Sequence, residues 1–100
     1  MKKLIKNYIY IFKWSGDQSI IKEITDCMSD EHKSISKVFC QENDEDNMLY
    51  MSEKFGNGGT YNSWTSLGKY LIYDESKDFA FLQSADEEYI KKLKNKYKEL

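Results

Sequence analysis

The chain has no proline, a single histidine, two cysteines and five glycines in 100 residues, and it contains no long apolar run. Each shortage removes a class of protein. A membrane-spanning helix needs ~18 consecutive apolar residues, and no stretch here approaches that length. Cys27 and Cys40 stand at no metal-ligand spacing and are too few for a secreted disulfide scaffold, so they read as reduced, small hydrophobic side chains. Lys2 and Lys3 ahead of an apolar run imitate a signal peptide. Lys6 and Asn7 interrupt that run, Lys13 closes it and no small-residue cleavage site follows, so a cytoplasmic protein is expected. The lack of proline decides little.

A basic excess is also missing. Fifteen Lys and Arg against seventeen Asp and Glu leave a net charge of −2, whereas a dedicated nucleic-acid binder needs a basic footprint that releases counterions from phosphate. The balance hides a segregation: residues 1–14 carry Lys2, Lys3, Lys6 and Lys13 with no acid, while residues 41–53 carry Glu42, Asp44, Glu45, Asp46 and Glu53 with no base.

What is present is material for a core. Apolar residues make up 40% and aromatics 15%, against a charged fraction of 32%, a composition on the globular side of the disorder boundary. One hundred residues suffice for a single domain spanning 1–100. Residues 4–14 predict a central strand, with Tyr8, Tyr10, Phe12 and Trp14 on one face and Ile5, Ile9 and Ile11 on the other. Ser15 with Gln18 reads as a capping box, and Ile20, Ile21, Ile24, Cys27 and Met28 recur at helical spacing. Residues 30–34 read as a polar connection. Residues 35–41 and 48–55 then predict an antiparallel hairpin across an exposed acidic loop.

Gly56-Asn57-Gly58-Gly59 breaks the chain, and Tyr61, Trp64 and Leu67 at i, i+3, i+6 suggest a helical turn or packed loop over 60–68. A second hairpin is expected from residues 69–74 and 78–83. Ser84-Ala85-Asp86-Glu87 forms a capping box for a terminal helix whose stripe is Tyr89, Ile90, Leu93, Tyr97 and Leu100, supported by Glu87–Lys91 and Glu88–Lys92 pairs. The expected fold is α+β in the order β-α-β-β-turn-β-β-α: one largely antiparallel sheet of about five strands with both helices packed on one face.

No chemistry-bearing motif completes itself. The acidic run 42–47 lacks the glycine and the bidentate glutamate of a calcium loop, so no metal site is assigned to it. The glycine segment lacks both the lysine–hydroxyl pair of a phosphate loop and dinucleotide spacing, and reads as a mobile loop with no cofactor. His32 lies in the polar connection, with nothing to bring a cysteine and an orienting group beside it. The lysines of the last helix, Lys91, Lys92, Lys94, Lys96 and Lys98, are offset by Asp86, Glu87, Glu88 and Glu99.

The expectation is therefore a non-enzymatic, protein-binding inhibitor, of the kind represented by toxin-immunity proteins and phage-encoded inhibitors of host defence. It would cover one basic, nucleic-acid-handling protein partner, with Glu42, Asp44, Glu45 and Asp46 steering association and Tyr61 and Trp64 supplying buried contact. The competing expectations are a small hydrolase or nuclease using carboxylates with His32, and a nucleic-acid module using the lysine-rich terminal helix.

Overall fold

A strand that is apolar on both sides needs cover on both sides, and that requirement sets the architecture. The computed structural model describes residues 2–6, 8–43 and 45–96. Among these residues there are seven strands and three helices: β1 (Lys2–Ile5), β2 (Ile9–Lys13), α1 (Ser19–Cys27), α2 (Asp30–Ile35), β3 (Ser36–Cys40), β4 (Leu49–Lys54), β5 (Thr60–Thr65), β6 (Tyr70–Asp74), β7 (Leu82–Ala85) and α3 (Glu87–Lys96).

The fold is α+β and antiparallel, as expected, but the expected single sheet is two. One has the order β1-β2-β6-β7 and the other β3-β4-β5. Nor do both helices share a face. Ile9 and Ile11 of β2, Ile72 of β6 and Ala85 of β7 are buried together with Ile90 of α3. Phe12 and Trp14, Leu71 and Tyr73, and Leu82 are buried with Ile20, Ile24 and Met28 from α1 and its C-terminal end, and with Val38, Leu49 and Met51 of the smaller sheet. The four-stranded sheet is thus the middle layer. Its two apolar faces, each residue worth roughly 1.5–3 kcal/mol on burial, could not both be covered by helices stacked on one side.

Local departures have local causes. The expected strand 4–14 is a hairpin, because Lys6 turns through φ +56° and β1 folds back onto β2; Tyr8, in that turn, packs with the isoleucines instead of with Phe12. Ser15 does not cap α1: Asp17 Oδ1 accepts from the Ser19 amide at 3.0 Å. Ser84 does not cap α3, since Asp86 Oδ1 accepts from the Tyr89 amide at 2.8 Å. Glu87 meets Tyr70 Oη at 2.6 Å.

The connection 30–34 is the short helix α2, started by Ser29, whose hydroxyl accepts from the His32 amide at 3.2 Å. Residues 60–65 are a strand, since Tyr, Trp and the two threonines favour extended backbone. The last strand starts at Leu82 because Ala80 adopts φ +54°, leaving Phe79 66% exposed. Tyr89 faces outward, 44% exposed; Tyr97, Lys98, Glu99 and Leu100 lie outside the described residues. No helix among the described residues is long and apolar enough to cross a membrane.

Candidate functional site

Strand alternation divides the smaller sheet into two unlike faces. Val38 on β3, and Leu49, Met51 and Glu53 on β4, point inward and are buried. The opposite positions are Lys37 and Phe39 on β3, Tyr50, Ser52 and Lys54 on β4, and Asn62 and Trp64 on β5. Register then gathers them into rows. Phe39 pairs with Tyr50 and Tyr50 with Trp64; Lys37 pairs with Ser52 and Ser52 with Asn62. One row is therefore aromatic across all three strands, and the next begins with a cation.

These rows line a groove of about 680 Å³ that reaches the end of α2 at Ser34 and Ile35. The Phe39 and Tyr50 rings stack with centroids 5.5 Å apart and planes at 20°, and Lys37 Nζ lies 5.1 Å from the Phe39 centroid. Trp64 is 56% exposed. Folding alone gives no reason to leave so much indole in water beside two further rings. Among the described residues, the charged side chains lining the groove are Lys37 and Lys54, with no carboxylate.

The acidic turn joins β3 to β4 at the aromatic end of this face. Glu42 and Glu45 are exposed, as is the body of Asp46; Asp44 lies outside the described residues. The base of the turn is anchored. Trp14 Nε1 donates to the Asn47 carbonyl at 2.7 Å, Cys40 Sγ donates to Asn47 Oδ1 at 3.5 Å, and Asn47 takes φ +52°. Gly16 makes room for this contact, because a Cβ there would stand 2.8 Å from Asn47 Nδ2 and its φ is +89°.

Of the expected contact residues, Trp64, Glu42 and Glu45 thus fall on or beside one face. Tyr61 does not join Trp64: three residues apart on a strand, the two point to opposite sides, and Tyr61 pairs with Glu53. The helical spacing that grouped them does not apply to extended backbone. Phe39, Tyr50, Lys37 and Lys54 were missed, although their alternation with Val38, Met51 and Glu53 is visible along the chain; what only pairing supplies is that the three rings form one row.

His32, expected in a polar connection, stands instead in the short helix α2. It is buried, stacked on Phe81 with centroids 3.9 Å apart, with Nδ1 2.7 Å from Tyr73 Oη and Nε2 2.8 Å from the Lys77 carbonyl. A carbonyl only accepts, so Nε2 carries a proton, and in the neutral ring Tyr73 Oη is then the donor to Nδ1. Tyr73 Oη in turn accepts from the Ser29 amide at 3.2 Å. Burial pushes the Tyr73 hydroxyl pKa up, outweighing the Ser29 bond that lowers it.

A second buried polar group joins the two sheets. Glu53 Oε2 accepts from the Leu82 amide at 3.0 Å, while its Oε1 has no hydrogen-bond partner among the described residues. Neither cysteine is buried fully, and no group of three or more His, Cys, Asp or Glu able to hold a metal occurs among the described residues. Comparison with known proteins adds no relative: no family model, no curated protein and no solved structure matches the chain.

Proposed function

We propose that this chain is a small binding protein that acts by covering a surface of a protein partner, in the manner of toxin-immunity proteins and phage-encoded inhibitors of host defence. The contact surface is the outer face of β3-β4-β5, with Trp64 and Tyr50 as anchors. The acidic turn lies at its edge, where Glu42 and Glu45 steer a basic, nucleic-acid-handling partner. The observation that carries this reading is the aromatic row Phe39–Tyr50–Trp64 on a solvent-facing sheet. Tryptophan and tyrosine supply large contact area at low entropic cost and dominate interface energetics where they are enclosed.

His32 gives the enzymatic alternative no support, because both ring nitrogens are engaged within the protein. The lysines of α3 give the nucleic-acid alternative little more, since Glu87 and Glu88 lie in the same helix.

The test is co-expression with the protein encoded beside it in its own genome, scored by host growth and by co-purification. The chain restores growth and co-purifies at equal stoichiometry. The Tyr50→Ala/Trp64→Ala variant, unchanged in melting temperature within a few degrees, loses about 2–4 kcal/mol of binding, some 30- to 1,000-fold. Protection by that variant equal to the unaltered chain removes this face from the mechanism.

A further inference from the structure

We infer that the groove on the outer face of β3-β4-β5 takes an extended segment of the partner protein whose side chains run basic, apolar, acidic at roughly alternate positions. This rests on that face being the contact surface. Three zones follow one another along the strands. Glu42 and Glu45 stand exposed at the turn. Next comes the row Phe39–Tyr50–Trp64, then Lys37 one row further and Lys54 two rows further, where no carboxylate among the described residues lines the groove. Glu42 lies three residues from Phe39 in one direction and Lys37 two residues in the other.

Successive rows on one face of a sheet are about 6.6 Å apart, which is also the repeat of every second side chain in an extended peptide. A segment lying along the groove therefore sets one residue on the aromatic row, the next residue of the same face at Lys37 and the one after at Lys54, while its other end runs out toward the carboxylates of the turn. Charge order selects among occupants. A nucleic-acid strand, negative throughout, meets the acids of the turn; a uniformly basic segment meets Lys37 and Lys54; only a segment of mixed sign satisfies both ends.

Three end-blocked peptides of equal length test this, each with a central phenylalanine in a Ser/Thr background. One carries lysine two positions to one side and glutamate two positions to the other, one carries lysine on both sides, and one carries glutamate on both. Trp64 emission reports binding, since Trp14 is fully buried. The mixed peptide should bind about fivefold tighter than either uniform peptide, the size of one or two exposed ion pairs. Lys37→Glu with Lys54→Glu, at exposed positions, should transfer the preference to the lysine peptide. Equal binding of all three peptides, absence of any emission change, or tighter binding of a 12-nucleotide oligothymidylate overturns the inference. Loss of protection in the Tyr50→Ala/Trp64→Ala variant is read separately, so the contact face can stand while this occupant fails.

Discussion

Three buried polar side chains carry more of the residue-scale energetics than their number suggests, because each is held by few partners. His32 fills space against Phe81 and satisfies both Tyr73 Oη and the Lys77 carbonyl. His32→Ala should cost about 2–4 kcal/mol, a cavity plus two stranded groups, measured by urea denaturation; a loss under 1 kcal/mol would mean that the loop at Lys77 relaxes freely. Tyr73 sets an alkaline limit. Its folded pKa is raised by burial, whereas the unfolded side chain ionises near pH 10. The stability Tyr73 contributes is therefore full below about pH 10 and is lost as pH rises beyond it, because the unfolded state releases the proton first; Tyr10 and Tyr70, also raised, add to the decline. Melting temperature against pH should show that decline, and it should be shallower in Tyr73→Phe. Glu53 keeps one buried oxygen without a hydrogen-bond partner among the described residues, so Glu53→Gln, which retains an acceptor for the Leu82 amide, should leave the protein as stable or about 1 kcal/mol more so. A marked loss in the same urea experiment would show that the charge itself is held.

At the scale of elements, end signals decided more than interiors. The apolar stripe of α1 was legible, and Ile20, Ile24 and Met28 are buried as their spacing required. Its start was not: Gln18 stands at the N-cap without a side-chain bond, and it is Asp17 just before it, not Ser15, that accepts from the Ser19 amide. Likewise Asp86, not Ser84, stands at the start of α3. Asp86→Ala should cost about 1 kcal/mol while Ser84→Ala stays near neutral, a contrast readable by thermal melting. α2 escaped a periodicity argument because six residues are too few to show one. β5 is ambiguous in sequence because tyrosine and tryptophan three apart fit a helix turn as well as a strand, and pairing with β4 decides it. Gly16→Ala should loosen the acidic turn, adding a Cβ against Asn47 at positive φ; we expect a loss of about 1–2 kcal/mol.

For the whole molecule, alternation along single strands determined a great deal: an antiparallel α+β chain, the two apolar faces of β2, the β3–β4 hairpin and the exposure of Glu42 and Glu45 are all local consequences of side-chain period and turn composition. Local pattern could not say how many sheets form, because a strand's hydrogen-bonding edges look alike whichever neighbour they receive. Nor could it place α1 and α3 on opposite sides of the central layer, join Phe39, Tyr50 and Trp64 into one row, or bury His32 against Phe81. Those depend on contacts between residues far apart in the chain: Phe39 and Tyr50 are 11 positions apart, His32 and Phe81 are 49, and Ile9 and Asp74 are 65. Such contacts are chosen by which combination of faces leaves the least apolar surface in water, a property of the assembled chain that no single segment carries.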